Sequence, residues 1–540
     1  MLYASVRTRF LSTEEAAWTL DNFFRTARSP QFLDLVSTSV TYAAFASILA
    51  TALGFALAFF ATRTDCPGRL LISGAALFPI IMPGILGTMA WVLLLSPDAG
   101  VLNNLFREVG IPAFDLYSIK GMVFVEALRL ASLAFLMGVA TFSGLDTGLE
   151  EAARASGARP LTVLRTITLP LVRPAIISVG FLMFVLAIST FEVPQLIGVP
   201  GREHVFVTKI YDATKVFPPD YGAIGAIGFY VLVIATLGLI ISQRFVRSSR
   251  AQTITGKGFR PTRIALGRWR WLAGAGAVGF FVVSAVLPSL MLIWSSLMDG
   301  YRSPSIQALG NITLSNYADV FANESLMKAV RNSLISSISA GIIVTALATV
   351  LAFLSVKTKV RGRWLLDFLS MVPIAVPSII IGVGILFWYL VAPLPVSLYG
   401  TLPIMVVAYV TISIPYAMQY LVAGMNQIHQ DMEDASAISG ASWVTTIRRI
   451  YLPLLRPAVL ASLLWSVMIA FREVSAVILL FTEKNQVLSV TLYNLWSKGT
   501  NYPLVAALGV LMTFLLMLIM LVMYRLSGGN RLTISQRTVV

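Results

Sequence analysis

The chain has 540 residues, 57% of them hydrophobic and 12% charged, with a formal net charge of +15 and a mean hydropathy of +0.81. Many apolar runs exceed the roughly 18 residues needed to cross a bilayer, which excludes a soluble protein with a large core and predicts an all-α, polytopic helical membrane protein. A single cysteine, Cys66, excludes an internal disulfide and a thiolate metal cluster, and two distant histidines, His204 and His429, argue against a zinc or redox centre. The sequence holds no Gly-x-x-x-x-Gly-Lys-Ser/Thr, so it offers no nucleotide-phosphate cradle. Residues 1–36 are mostly polar and show no cleavable signal peptide.

Apolar runs predict spans at about 37–62, 70–95, 121–143, 170–197, 223–243, 271–297, 333–356, 364–392, 401–425, 454–481 and 503–524, about eleven in all. Lysine and arginine set the orientation. With the 63–69 loop inside, the cytoplasmic segments collect Arg63, Arg69, Arg154, Arg159, Arg165, Arg173, Lys357, Lys359, Arg361 and Arg363, and the stretch from Arg244 to Arg270 adds eight more. The basicity is therefore topological, and no nucleic-acid partner is expected.

Between the third and fourth spans lies Glu151-Ala152-Ala153-Arg154-Ala155-Ser156-Gly157, ending at Ile167-Thr168-Leu169-Pro170. It returns as Asp434-Ala435-Ser436-Ala437-Ile438-Ser439-Gly440, ending at Ile450-Tyr451-Leu452-Pro453, with every position offset by 283. Each copy reads as a short polar helix, a glycine turn, a basic second helix and a proline opening the next apolar run. An acid at the helix start suits the helix dipole, and small residues let another surface approach. Further upstream the offset is 294: Thr19-Leu20-Asp21-Asn22-Phe23 matches Thr313-Leu314-Ser315-Asn316-Tyr317, Gly68-Arg69 matches Gly362-Arg363, and Pro79 and Pro83 match Pro373 and Pro377. Such parallel repeats are related by an axis along the membrane normal.

The predicted organisation is a first half at 1–243 with five spans, a cytoplasmic basic linker at 244–270, and a second half at 271–540 with six spans. The span at 271–297 has no counterpart in the first half. Twelve spans are expected if the true start lies upstream, which is the favoured expectation.

The pattern Glu-Ala-Ala-x3-Gly-x9-Ile-x-Leu-Pro resembles the cytoplasmic loop of ATP-binding-cassette (ABC) importer permeases. The first copy matches at every defining position, and the second differs by Asp434 for Glu and Ser436 for Ala. The resemblance covers nearly the whole chain and implies two permease repeats of the type I importer fold. It implies that Glu151, Ala152, Ala153 and Gly157, with Asp434, Ala435, Ser436 and Gly440, form coupling helices that sit in grooves of two copies of an ABC ATPase subunit. The remaining implied parts are an extracytoplasmic solute-binding protein, a multi-pass place in the bacterial inner membrane, ATP and magnesium on the partner subunits, and no catalysis or cofactor in this chain. Two fused halves look most like ferric-iron permeases, a likeness that Ser189-Thr190-Phe191-Glu192-Val193-Pro194 strengthens. The same layout occurs in permeases resembling those for thiamine, aminophosphonates and phosphorylated sugars. An ion-gradient-driven secondary transporter is the rival class, since those too are built from repeats.

Glu192 and Glu473 are carboxylates within apolar runs, expected at corresponding places in the two repeats. Charge there costs about 3 kcal/mol at a helix centre and usually faces a cavity or a partner. With Arg472 they are the candidate pathway residues, and no fixed metal site is expected. Glu126 and Arg129, three apart, predict an intrahelical ion pair. The matching prolines predict kinks.

Overall fold

The computed structural model describes residues 2–7, 17–68, 72, 74, 79, 81–145, 148–217, 219–250, 264–391, 397–499 and 501–526. Among them the chain is helical, with isolated β-bridges only. It divides into two compact units, one running to Leu314 and the other from Ser315.

The first unit contains α1 (Phe32–Arg63), α2 (Gly84–Leu95), α3 (Ile119–Ser143), the short α4 (Gly148–Ala155), α5 (Pro160–Ser189), α6 (Tyr221–Arg250) and α7 (Trp269–Ser296). The second contains α8 (Glu324–Lys357), α9 (Arg363–Ala375), α10 (Ser378–Leu390), α11 (Leu402–Asn426), the short α12 (Gln430–Ile438), α13 (Val444–Arg472) and α14 (Tyr502–Leu526). Nine of these helices are long and apolar enough to cross a membrane. Large apolar side chains such as Ile48, Leu237, Leu347 and Leu518 stay exposed along them, as a lipid-facing surface requires.

Element order repeats as the sequence offsets require, α1 to α5 answering to α8 and α10 to α13. One element departs: α7 opens the second repeat in sequence, yet its packing lies in the first unit. It lies against α2, and a Cβ at Gly274 would stand 3.0 Å from Pro67. The first 13 residues of the 251–270 stretch and much of 70–83 lie outside the described residues. The linker's described end is tied to the turn after α1, where Ile264 donates its amide to the Arg63 carbonyl at 2.8 Å and Leu266 donates to Asp65 Oδ1 at 2.8 Å.

Three expected spans end or bend early. The run at 364–392 is two helices, α9 and α10, bent by 110°. Pro373 and Pro377 supply no amide for the helical ladder, and the ring of Pro377 holds Val376 extended. The runs at 170–197 and 454–481 stop as helices at Ser189 and Arg472. Thr190 (φ −72°, ψ 136°) and Glu473 (φ −68°, ψ 129°) turn the backbone out of the helix at the same repeat position. Apolar composition misses these stops, because buried chain inside a membrane protein need not be helical where neighbouring elements satisfy its backbone.

In lipid no hydrophobic drive holds helices together, so close packing at small residues does. In the first unit α1 and α3 meet at Gly54 and Gly138. A Cβ on Gly54 would sit 2.5 Å from Ala134 Cβ and 2.7 Å from the Phe135 amide nitrogen, and one on Gly138 would sit 2.7 Å from Ala58 Cβ. Gly54→Ala is therefore expected to destabilise by about 1–3 kcal/mol through overpacking. The thermal unfolding midpoint of the purified protein measures it. Gly87→Ala, where nothing lies within 4 Å, is the control and should not lower the midpoint. In the second unit α8, α11 and α13 pack around Val344, Ala348, Ala417, Leu421, Tyr451 and Leu455.

Candidate functional site

The two duplicated polar segments fold alike. In the first, α4 ends at Ala155, and Gly157 takes a left-handed φ of +85°. The Ala158 amide bonds back to the Ala153 carbonyl at 3.0 Å, the six-to-one bond of a glycine-terminated helix. In the second, Gly440 has φ +71°, and Ala441 bonds to the Ser436 carbonyl at 3.1 Å. Glu151, Ala152, Asp434 and Ala435 are exposed, while Ala153 and Ser436 are half-buried on the inner face. The serine that replaces alanine in the second copy is put to use: Ser436 Oγ lies 2.7 Å from Thr446 Oγ1 and ties α12 to the start of α13.

Each second helix then widens by one turn of π-helix, at Leu164–Thr168 and at Ile447–Tyr451, again offset by 283. These turns bury Thr168 and Tyr451. Thr168 Oγ1 donates to Glu150 Oε1 at 2.7 Å, and Arg63, the last residue of α1, pairs with Glu150 Oε2. Both Arg63 and Glu150 are 1% exposed. The second unit repeats the arrangement with different side chains. Lys357, the last residue of α8, meets Glu433 Oε1 at 2.7 Å and also donates to the Ile428 carbonyl at 2.7 Å. Its ammonium stands 5.8 Å from the Tyr451 ring centre, a cation–π distance. Burial pushes the Glu433 carboxyl up, but the hydrogen bond from the Lys357 ammonium and its charge outweigh that and hold the group below its ordinary value.

So the acid that the motif singles out in each copy, Glu151 or Asp434, faces outward, while its neighbour Glu150 or Glu433 turns inward. Adjacent helical residues point about 100° apart, which separates the two roles. Sequence reasoning missed the inner pair. The signal was present: Glu150 and Glu433 share the 283 offset, and Arg63 and Lys357 share the 294 offset.

The candidate pathway residues lie just past the helix stops. Glu192 is half-buried in the segment after α5; a Cβ on Gly84 would stand 3.8 Å from its Oε1 and 3.6 Å from Arg129 Cδ. Both side chains thus stand against the first residue of α2, directly after Pro83. Glu473 is the residue at the end of α13, and its Oε1 accepts the Ala476 amide at 3.1 Å. Arg472 is half-buried beside it. The two glutamates are not equivalent. By the helix ends, which keep the 283 offset, Glu473 answers to Thr190 and Glu192 answers to Ser475.

What does repeat is a polar node on three spans. In the first unit it comprises Tyr42, Glu126 and Thr190. Arg129 grips fully buried Glu126 through Nη2–Oε1 at 2.5 Å and Nε–Oε2 at 3.0 Å, the intrahelical pair expected from the spacing. Thr190 Oγ1 lies 2.8 Å from both Glu126 Oε1 and Arg129 Nη2. In the second unit the same positions hold Ser336, Tyr409 and Glu473, with Tyr409 bonded to Ser336 and near Glu473. The carboxylate has moved from one span to another, so residue identity alone could not reveal the correspondence.

Comparison with known proteins agrees with this architecture. Residues 337–529 match the family model described as the binding-protein-dependent transport system inner membrane component. The ferric transport system permease protein FbpB of Actinobacillus pleuropneumoniae is 26% identical over 507 residues, 93% of this chain and 72% of that one. The putative ferric transport system permease protein FbpB 1 of Haemophilus influenzae is 26% identical over 458 residues, 84% of this chain and 71% of that one. A putative 2-aminoethylphosphonate transport system permease protein, PhnV of Salmonella typhimurium, is 26% identical over 263 residues. That match takes in 95% of the relative but only 48% of this chain, so the matched length is about half that of this chain. With the repeated helical fold and the paired glycine-ended polar helices, the chain is thus similar over most of its length to multi-pass inner-membrane permeases of binding-protein-dependent ABC importers.

Proposed function

We propose that this permease imports ferric iron, taking it from an extracytoplasmic binding protein and passing it to the cytoplasm at the expense of ATP hydrolysed on two separate ABC ATPase subunits. Those subunits, carrying ATP and magnesium, engage Glu151–Gly157 and Asp434–Gly440. The halves at 1–243 and 271–540, joined by 244–270, swing outward as the ATPases close and reset inward after hydrolysis. The observation that carries the coupling reading is the pair of exposed helices, each ended by a left-handed glycine and pinned to a span of its own half.

Ferric iron rests on relatives that carry that name across most of the chain, and on oxygen chemistry. It is a hard cation that prefers oxygen ligands, which Glu192 and Glu473 offer. No group of three or more His, Cys, Asp or Glu side chains that could hold a metal occurs among the described residues. A cation passing these carboxylates would meet few ligands at once, as release requires. A second reading, an anionic chelate or a phosphonate, is favoured by Arg129 and Arg472 beside the carboxylates.

Proteoliposomes containing this chain, its cognate ATPase and a loaded binding protein decide among these. Ferric accumulation that needs the ATPase and survives an uncoupler is the expected result. Accumulation of 2-aminoethylphosphonate in place of iron would shift the solute to the second reading. Uptake that persists without the ATPase and collapses with an uncoupler would reassign the chain to secondary transport.

A further inference from the structure

Each docking helix has two covalent tethers. In the first unit α4 follows α3 and leads through the glycine turn into α5; in the second α12 follows α11 and leads through its own glycine turn into α13. Two tethers define a hinge line, and a short helix held only at its ends could swing about that line when pushed. A third attachment off the line removes that freedom. Arg63 and Lys357 supply it, because each is the last residue of a span, α1 or α8, that takes no covalent part in the loop. The contact has been built in both repeats from different side chains, Arg with Glu and Thr in one, Lys with Glu and Tyr in the other.

We propose that Arg63 with Glu150 and Lys357 with Glu433 are positioning clasps that fuse each docking helix to its own half, so that movement of the docking helix moves the spans. The clasps differ in stiffness. The Arg63 and Glu150 side chains are 1% and 2% exposed, whereas those of Lys357 and Glu433 are 11% and 27% exposed. Water and salt weaken the second and hardly reach the first. The first docking helix is therefore the rigid one. The proposal rests on the docking reading above, since it concerns how that contact is transmitted.

The test uses the assembled transporter in proteoliposomes and reads solute imported per ATP hydrolysed, together with retention of the ATPase on the purified permease. Glu150→Gln leaves the outward face at Glu151–Gly157 intact, so the ATPase stays bound and hydrolysis continues, while solute per ATP falls by about tenfold, a usual coupling strength between sites. Glu433→Gln, in the more open clasp, lowers it by about fivefold, the low end for a coupling free energy. Arg63→Lys retains coupling. The second repeat already uses lysine there, and the Nε and Nη1 of Arg63 make no hydrogen bond that lysine would lose. An unchanged solute-to-ATP ratio in Glu150→Gln overturns the proposal, as does an unchanged ratio in Glu433→Gln should Glu150→Gln fail to accumulate. A wild-type permease that does not retain the ATPase at all sinks the docking reading itself, a result distinct from retained ATPase with unaltered coupling.

Discussion

Valine at both Gly157 and Gly440 is expected to abolish uptake while leaving the permease folded and inserted. Both glycines have a left-handed φ, +85° and +71°, and a Cβ at either would meet nothing within 4 Å. The penalty is therefore conformational and not steric crowding within the chain. An L residue held left-handed costs roughly 1–2 kcal/mol, and a β-branched one lies at the upper end. Two such costs stay below the roughly 5–15 kcal/mol that holds a folded protein together. The turn therefore remodels before the fold fails, and the exposed side of the docking helix loses its shape. Uptake in proteoliposomes, alongside the elution profile of the purified chain, checks both halves of the expectation. Asparagine, which tolerates the left-handed region, should restore part of the transport. Normal uptake by the double valine variant would refute the coupling role.

Arg129→Met is expected to cost about 3–5 kcal/mol and to cut accumulation of the folded protein sharply, because it strands a buried carboxylate. Glu126 is fully buried, and the guanidinium supplies two of its hydrogen bonds, with Thr190 supplying another. Replacing both partners, as Glu126→Leu with Arg129→Met, removes the stranded charge and is expected to recover most of the stability, since apolar pairs often replace buried ion pairs at little cost. Thr190 keeps the Leu186 carbonyl, 3.0 Å away, as acceptor in that variant. Unfolding midpoints of the single and double variants provide the measurement. Transport by the recovered double variant then decides the role of the pair: normal uptake means a structural one, and loss of uptake in a stable protein places it on the solute's route.

The helical class, the repeat and the docking turns were legible because each depends on a short-range signal. Long apolar runs mark spans, and glycine at a fixed interval marks a left-handed turn. Pro373 and Pro377 told of a break but not of its 110° size, which packing against neighbouring elements sets. The ends of α5 and α13 were not legible, since Phe191, Val193, Leu196 and their counterparts are as apolar as the helix before them. That overrun also made Glu192 and Glu473 look like partners. Matching identical letters shifts the repeat by two residues, whereas the helix ends keep the offset of 283. The clasps escaped notice for the opposite reason: the geometry is shared but the letters are not. Arginine answers to lysine and threonine to tyrosine, and the acid that matters inside sits one place before the acid that the motif advertises.

The wide turns at Leu164–Thr168 and Ile447–Tyr451 carry a consequence for how such a chain can vary. A wide turn holds about one residue more than an ordinary turn for nearly the same rotation, so losing one residue there closes it to an ordinary turn, whereas the same loss from the α-helical turns beside it would swing everything before it by about 100°. The docking helix would then point sideways, and its inner glutamate would leave its basic partner. The spacing between that helix and the following span is thus fixed to the residue everywhere but in the wide turn, although much of the stretch is exposed to water and would otherwise tolerate length changes as freely as any surface loop.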